Sequence, residues 1–160
     1  MPTPTYVPLA NITLGSAASS VTFSSIPATY RDLVLVANGK FSSSNSLVRI
    51  RVGNGSLDTG SNYTSVYANS TPESQSATET YWTLGRWDNV EGTMITHIMD
   101  YSATDKHKTA LSRRGSASFS NVQMNASRWA NTAVITTVSV LSTDNTYAAG
   151  STFALYGIAS

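Results

Sequence analysis

The sequence predicts an all-β fold, a single-domain antiparallel β-sandwich that is jelly-roll-like, and three observations lead to this prediction. Ser and Thr make up more than a quarter of the 160 residues, whereas charged residues account for only 12%, about half of the usual share. β-branched residues, which favour strands over helices, recur in short alternating runs. Turn-forming residues separate these runs at the spacing expected of a sandwich, and no segment has a convincing helical pattern.

The clearest strands are predicted at the C-terminal end. Residues 130–141 are β-branched at nearly every second position, and residues 151–158 alternate so that Phe153 and Leu155 share a face. Polar turn formers and a glycine connect the two runs, so we interpret them as a long strand and its antiparallel partner. We expect a loosely held, extended N-terminal arm over residues 1–5, followed by one β-sandwich domain over residues 6–160.

The remaining elements follow in chain order and bring the expected total to between nine and eleven strands. Pro8 places the first strand at a sheet edge, because proline cannot donate to a strand ladder. Residues 33–37 are apolar on both faces, which predicts a central strand. In the next strand Val48, Ile50 and Val52 alternate with outward arginines. The other strands are expected at residues 6–14, 21–26, 47–52, 63–67, 79–87, 94–101, 109–114 and 116–124.

Composition limits the possible function classes. The net charge of +1 gives no basic field for gripping phosphates, so we expect no nucleic-acid partner. The absence of cysteine excludes disulfides, thiolate metal sites and cysteine nucleophiles. No apolar stretch approaches the roughly 20 residues that span a bilayer, and the N-terminus lacks a signal-peptide pattern. We therefore expect a soluble chain with no membrane partner.

Few residues have side chains suited to catalysis or metal binding. His97, Asp100 and His107 are close in sequence, but His97 and Asp100 differ by an odd number and point to opposite faces of a regular strand, which argues against a metal site. The Gly-x-Ser-x-Gly motif of serine hydrolases is absent. Four acidic residues flank the segment 79–87, where a glycosidase would need two of them opposed across a cleft; solvated loop charges are the favoured interpretation. We predict that the chain is not an enzyme and that it binds no metal or cofactor.

Tryptophans and a small basic patch are the candidate interaction residues. A Trp ring can fill the core, bury itself at a subunit interface or stack on a sugar, and all three interpretations stay open. Two adjacent arginines and the segment 106–108 form a basic patch near one hairpin, which is either a solvated tip or a contact with a partner protein. The candidates are Tyr6, Trp82, Trp87, Trp129, Arg113 and Arg114.

Several stretches, taken together and in order, resemble a group of small β-rich structural proteins of tailed bacteriophages, cyanophages especially. They are residues 21–36 (VTFSSIPATYRDLVLV), 48–54 (VRIRVGN), 61–64 (SNYT), 100–106 (DYSATDK) and 149–158 (AGSTFALYGI). The resemblance implies a virion protein with a jelly-roll-like sandwich that either decorates the head or sits in the tail. It brings no active-site residues.

The function expected from this resemblance is that of a capsid decoration (cement) protein on the particle surface, made in the host cytoplasm. It would bind the major capsid protein or other virion proteins and stabilise the shell, and symmetric association favours a homotrimer. The segment from Met1 to Tyr6 is the first candidate for reaching a neighbour. The alternative is a tail fibre or baseplate adhesin, or a carbohydrate-binding β-sandwich module that uses the three tryptophans.

Overall fold

A computed structural model describes residues 4–68, 76–117 and 123–159. Within these residues the chain forms twelve β-strands and no helix, so no helix there is long and apolar enough to cross a membrane. The strands are β1 (Tyr6–Thr13), β2 (Ser20–Phe23), β3 (Asp32–Gly39), β4 (Ser46–Gly53), β5 (Tyr63–Ala68), β6 (Ser76–Glu79), β7 (Trp82–Trp87), β8 (Gly92–Met99), β9 (Lys108–Ser116), β10 (Gln123–Trp129), β11 (Thr137–Leu141) and β12 (Thr152–Ile158).

The strands form two antiparallel sheets that face each other. The larger sheet has eight strands in the order β1-β12-β3-β8-β9-β10-β5-β6, and the smaller has four in the order β2-β11-β4-β7. The chain crosses between the sheets at eight connections, which are β1–β2, β2–β3, β3–β4, β4–β5, β6–β7, β7–β8, β10–β11 and β11–β12. This wrapping is that of a jelly roll, so the predicted all-β, jelly-roll-like sandwich is confirmed.

Alternating apolar residues fill the space between the sheets. In β4, Val48, Ile50 and Val52 are fully buried, as their alternation with Arg49 and Arg51 predicts. Leu33 and Leu35 of β3 face them from the other sheet and are equally buried. β3 lies between β12 and β8, which confirms the prediction that it is an internal strand.

Four strands extend the larger sheet beyond the jelly-roll pattern. β5 and β6 are inserted between β4 and β7, and β9 and β10 between β8 and β11. Strand β7, at the edge of the smaller sheet, lies over the inner side of this extension and bonds to its side chains: the Thr83 N–H donates to Ser65 Oγ (3.1 Å), and Asn125 Nδ2 donates to the Thr83 carbonyl (2.9 Å). The extension therefore has a polar inner side.

The predicted pairing of residues 130–141 with residues 151–158 is wrong. β11 pairs with β2 and β4, whereas β12 pairs with β1 and β3 in the other sheet. The connection between them crosses the sandwich because Tyr147 anchors it there, with its ring fully buried and stacked 5.0 Å from that of Phe41. β11 is also shorter than predicted, since residues 130–136 bond as a loop to Tyr101 and Gly53.

Other boundaries differ locally. The predicted strand over residues 79–87 is broken at Thr80 and Tyr81, because β6 and β7 belong to different sheets. The predicted strand over 116–124 lies largely outside the described residues, and β10 begins at Gln123. β1 is an edge strand, as Pro8 predicted. Residues 1–3 of the predicted N-terminal arm lie outside the described part of the chain, so the division into arm and domain remains a prediction.

Candidate functional site

The outer face of the eight-stranded sheet carries every large hydrophobic side chain that is exposed in the described residues. Their positions on outward-pointing sites of β1, β5, β8, β9 and β10 follow from the alternation of burial along each strand. The exposed fractions are Tyr6 58%, Val66 47%, Met99 37%, Leu111 45% and Met124 46%. Scattered exposed apolar residues are ordinary, but a set confined to one sheet face marks an interaction surface.

Cross-strand register brings three of these residues, Val66, Leu111 and Met124, into two adjacent rows, which we call the apolar belt. The first row runs across six strands, from β12 to β5, and the second lies beside it, one step along each strand. The rows are Tyr156, Val34, His97, Leu111, Ala126 and Val66, and then Ala154, Val36, Ile95, Arg113 and Met124. Apart from His97 and Arg113, the belt consists of apolar and aromatic side chains.

Polar rows border the belt on both sides. Thr152, Asn38 and Thr93 form one border. Thr109 and Arg128 lie on the other, in a row that also holds the exposed Met99. With strands ~4.8 Å apart and outward residues ~6.8 Å apart along each strand, six strands and four rows cover roughly 800 Å². That is about the area each partner contributes to a stable protein–protein interface, and an apolar centre with a polar rim is the usual anatomy of such an interface.

The charged side chains on this face differ in whether they have a hydrogen-bond or ion-pair partner. Asp32 accepts a hydrogen bond from the Asp100 N–H (2.9 Å) and one from Arg31 Nε (2.8 Å), and His97 Nε2 lies 3.2 Å from its carboxylate. Burial by itself would raise the pKa of Asp32, but these donors outweigh it and hold the pKa below its ordinary value. In contrast, Arg113 and Arg128 form no ion pair within the described residues.

A cleft of about 180 Å³ opens in the belt. Its walls include Val34, Ile95, Leu111 and Met124, and Arg113 lies at its border. Tyr6 also lines it, held by an edge-to-face contact with Tyr156 at 6.5 Å between ring centroids. Two of the predicted interaction residues, Tyr6 and Arg113, are therefore brought together at one concave site.

The three tryptophans do not belong to this surface. Trp82 is 0% exposed, and Trp87 and Trp129 are each 1% exposed. Trp82 packs edge-to-face on Tyr63, and Trp129 Nε1 donates to Asp58 Oδ2 at 2.7 Å. Their prediction as interaction residues is wrong: no ring face is available to a sugar or a partner, and the core interpretation that the sequence left open applies.

The prediction of Arg114 as an interaction residue is also wrong, because its side chain points inward. Arg114 is 5% exposed, donates from Nε to Gln123 Oε1 (2.9 Å) and packs against Gly85. Gly85 has a φ of 115°, which favours glycine, and a Cβ there would lie 2.8 Å from Arg114 Nε. Lys108 is also fully buried. Only part of the predicted basic patch therefore reaches the surface.

The apolar members of the belt were not among the predicted interaction residues, and the reason lies in β9 and β10. In β9 the buried positions are Lys108, Ala110, Ser112 and Arg114, while Leu111 is exposed. In β10, Asn125 and Ser127 are buried and Met124 is exposed. Alternation shows that a strand has two faces but does not show which one points inward. The only signal in the sequence was that apolar residues, Leu111 in β9 and Met124 and Ala126 in β10, lie on the face opposite to several polar residues.

Within the described residues, no group of three His, Asp or Glu side chains is arranged to hold a metal ion. No protein-family model matches the chain, and no curated protein is a significant match. Solved structures that resemble the chain include two alginate lyases and a protein of unknown function.

The first is the marine PL-14 alginate lyase from Aplysia kurodai, with 10% identity, a TM-score of 0.39 and coverage of 96% of this chain and 80% of that one. The protein of unknown function comes from Shewanella oneidensis MR-1, with 6% identity, a TM-score of 0.27 and coverage of 96% and 75%. An alginate lyase from Pseudomonas aeruginosa matches with 9% identity, a TM-score of 0.29 and coverage of 83% and 65%.

Two of these three proteins are enzymes, and this finding contradicts the prediction that the chain is not an enzyme; that prediction is withdrawn. At TM-scores below 0.5 the likeness carries no activity over to this chain. The fold and the described surface define a class: a jelly-roll β-sandwich whose extended sheet presents an apolar outer face.

Proposed function

We propose that the protein is a structural protein of a tailed-phage particle, a decoration protein that attaches to the major capsid shell through the outer face of its eight-stranded sheet. The observation that carries the proposal is the apolar belt with its polar border, which matches the size and anatomy of a protein interface. The resemblance of residues 21–36 and 149–158 to virion proteins supports the choice of partner.

Attachment would act by removing apolar surface from water at seams between capsid subunits. Burial of the belt supplies free energy in proportion to the apolar area covered, and each bound copy would then oppose separation of the subunits that it bridges. We expect symmetric association as a homotrimer, with the segment from Met1 to Tyr6 as a candidate contact between copies. The alternative role as a sugar-binding adhesin loses its proposed platform, because all three tryptophans are buried.

Localisation on the particle tests the proposal. Particles of the phage that encodes the chain would be prepared with and without the protein, and both imaged by cryo-EM. We expect difference density at seams of the shell, and purified protein added back should restore it. Density on the tail alone would end the capsid proposal, and the mass of the purified protein in solution tests the trimer.

A further inference from the structure

The cleft in the apolar belt has the dimensions of a site for one large side chain. Its volume of about 180 Å³ corresponds to about six water molecules at roughly 30 Å³ each, which suits a phenyl ring or a branched aliphatic group. Its apolar walls come from β3, β8, β9 and β10, so it sits on sheet rather than on loops. A concave apolar site near the centre of an interface is where binding energy concentrates.

Arg113 restricts what can cover this cleft. Arg113 lines the cleft together with the apolar residues, and it forms no ion pair within the described residues. Covering an arginine without a counter-charge is costly, because the charge loses water and gains no partner. A planar guanidinium is also suited to bind a carboxylate through two parallel hydrogen bonds. The occupant should therefore bring its own carboxylate.

A second copy of the same face does not meet this requirement. Among the outward positions of the six belt strands, the only described carboxylate is that of Asp32. This residue is 5% exposed and already engaged by Asp100, Arg31 and His97. Pairing two copies face to face would thus cover two Arg113 guanidinium groups without a free acid for either, which points to a different protein as the occupant.

We propose that the cleft anchors a segment of the partner protein in which a large apolar side chain lies beside an Asp or Glu side chain. The apolar group fills the space between Val34, Ile95, Leu111 and Met124, and the carboxylate pairs with Arg113. Tyr6 closes the side of the cleft nearest β1. This inference rests on the proposed docking role of the face and specifies the chemistry of its partner.

A pair of small molecules with matched shape tests the inference. 3-Phenylpropionate and 3-phenylpropanamide differ at the carboxylate, and each would be titrated into the ¹⁵N-labelled full chain at low salt. We expect shifts of amide signals around the cleft, with the carboxylate binding about three- to five-fold more tightly than the amide, the range of a partly exposed ion pair. This preference should vanish in Arg113→Gln and persist in Arg128→Gln, which removes the other unpaired cation of the face.

Three results would overturn the inference: no shifts around the cleft with either molecule, equal affinity for both, or a preference that survives Arg113→Gln. Thermal unfolding of each variant verifies that it is folded. Failure here is separable from failure of the proposed function. If Leu111→Asp abolishes attachment to particles while the carboxylate preference is absent, the docking role of the face is supported and the proposed contact between Arg113 and a partner carboxylate is refuted.

Discussion

Leu111 and Met124 lie on the outer face of the eight-stranded sheet with almost half of each residue exposed, whereas the outer face of the four-stranded sheet carries Thr22, Ser139 and Arg51. On the smaller sheet the polar groups bond to one another. Thr22 Oγ1 donates to Ser139 Oγ (2.9 Å), and Arg51 Nε donates to the Thr80 carbonyl (3.0 Å). These polar groups are bonded within the chain, and none of the exposed large hydrophobic residues of the described part of the chain lies on this sheet.

The arginines sharpen the contrast. Arg49 of the smaller sheet lies over the Tyr81 ring at 4.5 Å and pairs with Asp144 at 3.4 Å, so its charge is shared with an aromatic face and a carboxylate. Arg113 of the larger sheet has neither within the described residues. A cation left unpaired among apolar neighbours is what a binding surface presents before its partner arrives.

The largest expected effect comes from placing a charge in the apolar belt, and it concerns attachment of the protein to phage particles. Leu111→Asp replaces an apolar side chain in the middle of the belt with a carboxylate, which would have to lose its water when the shell covers it. We expect binding to particles to weaken by about thirty-fold or more, the effect of losing one interface hot spot. Co-sedimentation of purified protein with depleted particles measures it.

The matched control is Ser20→Asp, which adds the same charge at an exposed position on the smaller sheet and should leave co-sedimentation unchanged. Both variants should unfold within about 0.5 kcal/mol of the wild type, because both sites are exposed. Equal binding of Leu111→Asp and Ser20→Asp would show that the apolar belt is not the attachment surface.

The next effect concerns the polar inner side of the same strands. Lys108 is 0% exposed, and its Nζ donates to the carbonyls of Lys106 (3.0 Å) and Thr132 (3.1 Å). Lys108→Met keeps the length of the side chain but leaves both carbonyls without this donor. We expect the free energy of unfolding to fall by about 1–3 kcal/mol, measured by urea denaturation.

Lys106→Met provides the comparison, since Lys106 is half-exposed and pairs with Asp100 at the surface. Its loss should change the free energy of unfolding by less than about 1 kcal/mol. If Lys108→Met were as mild as Lys106→Met, the inward lysine would not be what ties the loop at Thr132 to the hairpin between β8 and β9.

Much of the fold could be predicted from the sequence, and the limits have a physical cause. In β4 the alternation of Val48, Ile50 and Val52 with two arginines fixed both the strand and its buried face. In β9 the sequence does not show which face is buried, because that is decided by β7, which covers the side that carries Lys108 and Arg114. That choice depends on a strand distant in sequence, and so does the separation of β11 from β12 into different sheets.

The site shares this limit: Tyr6 and Arg113 were identified as single residues, while the cleft that joins them depends on register across four strands.

The smallest expected effect compares one carboxylate from each side of the sandwich. Asp32 lies at the border of the larger sheet's outer face, with its pKa held below the ordinary value, while Asp144 beside the smaller sheet has a side chain 66% exposed. We expect Asp32→Asn to lower the free energy of unfolding at pH 7 by about 1 kcal/mol through weaker hydrogen bonds. Asp144→Asn should change it by less than about 0.5 kcal/mol.

The pH dependence identifies the carboxylate as the cause. Because the folded-state pKa of Asp32 lies below its unfolded value of about 3.9, its contribution is complete above that value and is lost as the pH falls through the folded-state pKa. The difference between wild type and Asp32→Asn should therefore be constant from pH 7 to about 5 and shrink below about 4. Urea denaturation over this range measures it. A difference that stays constant down to pH 2 would mean that the negative charge of Asp32 contributes nothing to stability and that the residue acts through its shape alone.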